Sequence, residues 1–379
     1  MRMKTKRSIA ASLLISALML SSCSAPAPSE TTAASQTTAM ATETAETTTV
    51  ATENTETSTT SESTEAVTMT TVELPVDGHH EFQTHVLSDI YKQAYGDGFE
   101  EDFFSFCDAF YNVEDSVRLK DRANYARCIR AARICLPVAY ICLAGFDTDA
   151  EEKVTDEADN KDGTYKLNYS VSKDEIPALI QNFQTRVNSL IESCCLPDDT
   201  PLEKALALYM EESTRISYDF DNAENPNRRL TVYDCLTGDK AICQEIAGAY
   251  AYLLLQVGID ATTCSGMDHA MTYGHEWTVV KLGDKYYHCD VTSQTQEKLS
   301  LRYFGMTDAK RESENNYDPQ YFNFAGINEV FHDDLLIEDE TFKQLWDAKY
   351  YEIDHKKDML YCYKESSGEG KPYYKMPLV

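Results

Sequence analysis

The sequence contains few basic residues for its length. Among 379 residues, Lys and Arg total 34 against 63 Asp and Glu, which gives a formal net charge of −29. A surface of this charge repels a phosphate backbone, so we expect no nucleic-acid partner. The acidity favours solubility and does not by itself identify a substrate.

The N-terminal apolar run is too short to cross a membrane. Basic residues at positions 2 to 7 precede it, it covers residues 9–20, and Leu20-Ser21-Ser22-Cys23 follows. This order is typical of a secretory signal. The Leu-Ser-Ser-Cys motif resembles the lipobox of bacterial lipoproteins, which implies that Cys23 becomes the lipidated first residue. We therefore expect a lipoprotein signal peptide over 1–23 and an exported protein, lipid-anchored to the extracytoplasmic side of the membrane. An ordinary signal peptide with a chance cysteine is the alternative.

The following segment lacks the residues that build a core. Residues 24–72 contain no aromatic residue and no Gly, Leu, Ile, Lys or Arg, and are mostly Thr, Ser, Ala and Glu. Such a composition buries too little apolar surface to offset the entropy lost on ordering. We expect residues 24–75 to be a disordered linker that tethers a folded part.

Metal-binding motifs are also missing. The 12 cysteines form no CxxC pattern, and no HExxH pattern occurs. A site built from Cys264, His269, His275 and Cys289 remains an alternative, but the spacing gives it no support. We expect no cofactor, and we expect most cysteines to be buried thiols.

Helical periodicity dominates the first half of the folded part. It predicts helices within 80–145 and over 174–194, a strand at 165–171, and loops at 147–163 and 221–230. Thr200-Pro201-Leu202-Glu203 predicts a capped helix that runs to about residue 215. A further helix is predicted from about residue 241 up to Gly258.

Two hairpins follow in the second half. Strands at 277–282 and 285–291 flank the turn Gly283-Asp284, and a second pair is predicted at 350–353 and 359–363. Helices before an antiparallel sheet indicate an α+β fold. We expect a mainly helical region at 76–198, a core at 199–345 with a central helix packed on the sheet, and a C-terminal β-hairpin extension at 346–379.

The first hairpin brings two functional side chains together. If Gly283-Asp284 is a two-residue turn, Thr278 faces Cys289 and Trp277 faces Asp290. His275 and Asp290 are then diagonal neighbours on one face, within reach of an imidazole–carboxylate hydrogen bond. Such a carboxylate would fix the tautomer of the histidine.

Cys243 lies in the first turn of the predicted central helix. Exposed backbone N–H groups and the helix dipole favour an anion there, and a nearby imidazole would favour a thiolate further. A cysteine on a helix, with a histidine and an aspartate on a sheet, follows the logic of papain-type catalysis. Without these neighbours, Cys243 would read as a core residue.

Three segments carry a family resemblance. They are VYDCLTGDKAICQEIAGAY at 232–250, GHEWTVV at 274–280 and YYHCDVT at 286–292, with support from Ile216-Ser217-Tyr218-Asp219 and Tyr303-Phe304. Together they resemble bacterial transglutaminase-like (papain-like cysteine enzyme) domains, well over 200–310 and loosely over 80–200. The resemblance implies a papain-like or transglutaminase-like core in which Cys243, His275 and Asp290 form the catalytic triad.

Other residues have lesser expected roles. Gln244, Tyr233 and Trp277 are secondary candidates, with Tyr233 as a weak candidate for the second oxyanion donor. His269 is a rival base, and His288 shares the face of Asp290 in the expected register. Glu245 stands where the family commonly has Gly, and is expected to narrow the cleft or lower the reactivity of the thiol.

The function implied is thiol chemistry on an acyl group. We expect a surface-anchored hydrolase of peptide or amide bonds that acts as a monomer on a peptide or protein, with cell-wall peptides as one candidate. An inactive binding or scaffold module and an amine-transferring crosslinker are the alternatives.

Overall fold

A four-stranded antiparallel sheet packed against one buried helix organises the folded part of the chain. The computed structural model describes residues 79–144, 162–223, 225, 231–297, 299–327, 330, 332–364 and 374–378. The predicted signal peptide, lipobox and linker lie outside the described residues, as does most of the loops predicted at 147–163 and 221–230. Within the described residues, no helix is long and apolar enough to cross a membrane.

The described residues contain the following α-helices and β-strands. The helices are α1 (Asp89–Tyr95), α2 (Phe99–Tyr111), α3 (Asn124–Cys135), α4 (Pro137–Cys142), α5 (Ile176–Glu192), α6 (Pro201–Arg215), α7 (Val232–Thr237), α8 (Cys243–Gln256), α9 (Val291–Gln296) and α10 (Asp308–Asn315). The strands are β1 (Ser116–Arg118), β2 (Thr164–Lys166), β3 (Ser217–Tyr218), β4 (Lys240–Ala241), β5 (Ala261–Met267), β6 (Gly274–Leu282), β7 (Lys285–Cys289), β8 (Asn323–Phe324), β9 (Ala348–Asp354), β10 (Met359–Lys364) and β11 (Tyr374–Pro377).

The N-terminal part is mainly helical, as its periodicity predicts. Helices α1 to α4 fall within 80–145, and α5 matches the helix predicted at 174–194. The strand predicted at 165–171 is shorter: Thr164–Lys166 pairs with the unpredicted strand β1, and Tyr169 forms an isolated bridge with Leu143. The capping box of α6 is confirmed, because the side chains of Thr200 and Glu203 each accept a hydrogen bond from the backbone N–H of the other residue.

The central helix α8 lies against strands β5 and β6. All of its residues except Gln244 are buried. Gly258 follows it with a φ of +80°, a conformation that glycine adopts without strain, and so ends the helix as predicted. The sheet order is β7-β6-β5-β8, and every pair in it is antiparallel. The predicted α+β architecture, with a helix packed on an antiparallel sheet after a helical region, is confirmed.

A second sheet closes the chain. The predicted hairpin corresponds to β9 and β10, and β11 adds an unpredicted third strand beside β10. Two contacts join this sheet to the start of α6. The Thr200 hydroxyl donates to the Leu378 carbonyl at 2.5 Å, and His355 Nδ1 lies 2.8 Å from Asp199 Oδ1.

Candidate active site

The chain path carries His275 toward the helix end that holds Cys243. After Gly258 the chain turns back, so β5 runs antiparallel to α8 and β6 runs parallel to it. His275 pairs with Gly266 near the far end of β5, away from the C-terminus of α8. The Thr278 hydroxyl donates to the Ala247 carbonyl at 2.9 Å and fixes β6 against the helix. His275 therefore lies on the side where α8 begins.

The predicted hairpin register is confirmed. Leu282 pairs with Lys285 and Thr278 with Cys289, which places Asp290 beside Trp277. His275 Nε2 lies 2.9 Å from Asp290 Oδ2, and both side chains are buried. Because an ionised carboxylate only accepts hydrogen bonds, the network assigns the proton of a neutral His275 to Nε2. Nδ1 is then the basic nitrogen.

Asp290 does not belong to a strand. The predicted strand at 285–291 is two residues too long, because β7 ends at Cys289 and Asp290 is the N-cap of α9. Its Oδ1 accepts from the Ser293 N–H at 3.0 Å, and its Oδ2 accepts from the Ser293 hydroxyl at 2.7 Å. Burial acts to raise the pKa of Asp290, but His275 and Arg311 outweigh it and hold that pKa well below its usual value. Asp290 is therefore a fixed anion.

Cys243 is the first residue of α8 and is fully buried. Backbone N–H groups in the first turn of a helix have no acceptor within the helix, so this position suits an anion. Ten further cysteines of the described residues are free and mostly buried, as predicted. A nucleophilic role requires Cys243 as a free thiol or thiolate.

Glu245 is turned back onto the start of its own helix. Its Oε2 accepts from the Ile242 N–H at 3.1 Å, and the residue is buried. This is the N3 half of a capping box, made without a capping side chain at Ile242. The carboxylate therefore has a local structural role, in the same helical turn as Cys243.

Three aromatic rings surround the histidine. The ring centroid of His275 lies 5.8 Å from that of Tyr317, 5.9 Å from Trp277 and 6.4 Å from Tyr273. Trp277 packs on β5 at Gly266, where a Cβ atom would come within 2.7 Å of the indole ring. Only glycine fits there, so this position holds the indole beside His275.

Arg311 is the site residue that the sequence does not reveal. Its side chain is fully buried, and Nη2 lies 3.0 Å from Asp290 Oδ2. The guanidinium also lies 4.5 Å from the Trp277 ring centroid and 4.6 Å from that of Tyr317. The charged sequence of α10, DAKRESEN, is typical of an exposed helix. It does not indicate that one face of this helix packs beside β7 and buries Arg311.

His288 on β7 forms a second buried hydrogen-bond network, next to that of His275 and Asp290. The Trp277 Nε1–H donates to His288 Nδ1 at 2.8 Å, and His288 Nε2 lies 2.8 Å from Asp308 Oδ1. His332 contacts the other oxygen of Asp308 at 2.9 Å. Burial lowers the pKa of His288 despite the nearby carboxylate. His288 therefore supports Trp277, and Cys289 packs in the core on the opposite face as expected.

The remaining residues predicted for the site are not part of the hydrogen-bonded His275–Asp290 pair. Tyr233 stacks on Phe183 with ring centroids 5.4 Å apart, and no contact among the described residues joins it to His275 or Asp290. The half-exposed His269 contacts Glu312 and Asp318. Gln244 is partly exposed at the second position of α8.

The four residues considered for a metal do not converge. Among the described residues, one group of potential ligands lies within 4.8 Å, and it consists of Asp199, Glu203 and His355. These side chains already cap α6 and join it to the C-terminal sheet. The residues Cys264, His269, His275 and Cys289 form no such group within the described part of the chain.

Comparison with known proteins gives a family for part of the chain. Residues 188–291 match the family model of the transglutaminase-like superfamily, and this segment contains all three predicted triad residues. The segment is thus transglutaminase-like, and the predicted fold class is confirmed. No curated protein matches the chain.

Two solved structures are similar over limited regions. One is described as a TGase, with 17% identity and a TM-score of 0.27, covering 38% of this chain and 37% of that protein. The other is named "Putative Cysteine Protease" from Cytophaga hutchinsonii, with 16% identity and a TM-score of 0.25, covering 32% of this chain and 43% of that protein. The match therefore spans less than half the length of either protein.

Proposed function

We propose that the transglutaminase-like segment of this chain is a cysteine enzyme that hydrolyses peptide or amide bonds. The observation that carries the proposal is the buried hydrogen bond of His275 to Asp290, at the sheet end that faces the start of α8. Cys243, the first residue of that helix, supplies the thiol. A nucleophile, a base and a residue that orients the base are the three parts that thiol catalysis requires.

The first half-reaction forms a thioester. His275 Nδ1 takes the proton of Cys243, and the sulfur attacks the carbonyl carbon to form a C–S bond. The carbonyl electron pair moves to oxygen, where backbone N–H groups at the start of α8 stabilise the oxyanion. The C–N bond then breaks, and His275 gives its proton to the leaving amine.

The second half-reaction releases the acyl group. His275 takes a proton from water, the water oxygen bonds to the carbonyl carbon, and the C–S bond breaks. The products are a carboxylic acid and regenerated Cys243. An amine in place of water would give a new amide, and the protein would then be a transferase.

The test uses reduced protein and a library of peptides with amide bonds. Hydrolysis is followed by mass spectrometry for the wild type, Cys243→Ala and His275→Ala, with Cys289→Ala as a control that removes a buried thiol on the same sheet. We expect the two site variants to lose at least about 1000-fold in rate, the scale of losing a nucleophile or its base. Unchanged activity in either variant would refute the assignment. Incorporation of a labelled primary amine would show transfer in place of hydrolysis.

A non-catalytic binding module is the second candidate. The complete burial of Cys243 favours it, because a buried sulfur is not open to a substrate. If the reduced protein shows neither peptide cleavage nor amine transfer, this candidate replaces the enzyme.

We also propose that the chain is exported and anchored through Cys23, on the strength of the Leu-Ser-Ser-Cys motif. Several acyl chains on one cysteine give firm anchoring, at roughly 0.8 kcal/mol per buried methylene. Labelling with an alkyne fatty acid in a bacterial host should mark the wild type and not Cys23→Ser. Equal labelling of both would contradict the anchor.

A further inference from the structure

Two charged side chains of α10 contact two titratable side chains at the C-terminal end of β7. Asp308 and Arg311 are three residues apart on one helix face. His288 is in β7, and Asp290 follows the last residue of that strand. Asp308 contacts His288, and Arg311 contacts Asp290. Helix α10 thus presents a permanent cation to the carboxylate that orients His275.

Arg311 is held in an unusual environment for a cation. None of its three guanidinium nitrogens makes a hydrogen bond within the part of the chain that the structure describes. Its partners are the charge of Asp290 and the faces of Trp277 and Tyr317. Burying an ion without hydrogen bonds is costly, and replacing both members of a buried ion pair by apolar residues is often neutral for stability. Stability alone therefore does not require a buried ion pair at this position.

We propose that Arg311 is a positioning residue that sets the pH at which the His275–Asp290 pair releases its proton. This inference rests on the proposed function. The Asp290 carboxylate contacts both Arg311 and His275. The positive charge of Arg311 partly offsets the attraction of Asp290 for an imidazolium, so a protonated His275 is stabilised less than it would be by Asp290 alone. Arg311 thereby favours the neutral imidazole, the form of His275 that can accept a proton, and it favours an ionised Asp290.

The sign of the effect does not depend on where the proton resides. Removing the cation makes the pair hold its extra proton to higher pH, whichever of the two groups carries it. The other titratable groups facing this cluster include Tyr209 on α6, Cys264 on β5, His288 and Cys289 on β7, Asp308 on α10, and Tyr273 and Tyr317 beside the histidine. Burial raises the pKa of Tyr273 to about 12 and that of Tyr317 further, so neither tyrosine titrates near neutrality.

The test measures alkylation of reduced Cys243 by iodoacetate and by iodoacetamide from pH 5 to 10. The iodoacetate anion reacts faster with a thiolate beside an imidazolium, so the ratio of the two rates falls as the pair loses its proton. Neutral variants are Arg311→Met and, in case it fails to fold, Arg311→Gln; Arg311→Lys retains the charge. Arg302→Met is the matched control, since it removes an arginine paired with Glu314 on the same helix.

In the neutral variants, we expect the pH at which the iodoacetate-to-iodoacetamide rate ratio falls to increase by about 1 to 3 units, which is the usual effect of one neighbouring charge. Arg311→Lys should move it less, and Arg302→Met should leave it unchanged. A folded neutral variant with the wild-type profile would overturn this inference alone. If wild-type Cys243 reacts no faster than the buried cysteines, the proposed function fails and this inference fails with it.

Discussion

Glu245 is the residue at which this chain departs most clearly from the sequence pattern that its nucleophile segment resembles. Its carboxylate accepts from the Ile242 N–H, and an acidic residue in the first turn also favours the helix dipole. The carboxylate lies in the same helical turn as Cys243, and an ionised carboxylate there would oppose formation of a thiolate. We therefore expect one side chain both to stabilise the helix start and to lower the reactivity of Cys243.

Glu245→Gln separates these two effects. The amide oxygen can still accept from Ile242, while the charge is removed. We expect the midpoint of the rate of alkylation of reduced Cys243 by iodoacetamide, followed against pH, to move down by about one unit, because one neighbouring negative charge has been removed. Glu203→Gln is the matched control, because it changes the same capping position in α6. An equal change in both variants, or none in Glu245→Gln, would contradict this account.

The hairpin of β6 and β7 shows which parts of the site can be predicted from sequence. Its register follows from the two-residue turn at Gly283-Asp284, and this places His275 next to Asp290. Strand β5 was not predicted, because six of its seven residues are buried and no alternation marks it. The contact of Arg311 with Asp290 depends on how α10 docks, and local sequence does not determine docking.

The contact between β7 and α10 also predicts how stability depends on pH. His288 Nδ1 accepts from Trp277, so protonating that nitrogen would break the hydrogen bond, and burial lowers the pKa of His288 below its usual value of 6.5. Between 6.5 and the lower folded pKa, the unfolded chain binds more protons, so stability decreases as pH falls below 6.5.

His288→Gln removes this titration while keeping a side chain that can accept from Trp277 and donate to Asp308. Between pH 6.5 and 5, we expect the wild type to lose up to about 2 kcal/mol more unfolding free energy than the variant, at about 1.4 kcal/mol per pH unit. Urea unfolding at the two pH values measures this difference. The same loss in both proteins would show that His288 does not couple stability to pH.

Across the described part of the chain, the buried His275–Asp290 pair lies at one end of the four-stranded sheet, with Arg311 beside it. The three predicted triad residues lie within the transglutaminase-like segment 188–291, and Arg311 follows it on α10. The C-terminal sheet is joined to α6 through Asp199 and Thr200. The predicted signal peptide, linker and domain boundaries stay predictions, since they depend on segments or divisions that the fold of the described residues does not test.

The proposed function rests on the claim that reduced Cys243 is an activated thiol beside His275. The most direct measurement is its alkylation rate by iodoacetamide against pH, followed at each cysteine by mass spectrometry in the full chain after reduction. Burial raises the pKa of Cys135, Cys289 and Cys362 to about 12, so these thiols are internal references for slow reaction. We expect selective labelling of Cys243 that persists to about pH 6, well below the usual thiol pKa of about 8.5, and that is lost in His275→Ala. Labelling of Cys243 no faster than that of the reference cysteines would contradict the claim and favour a binding module.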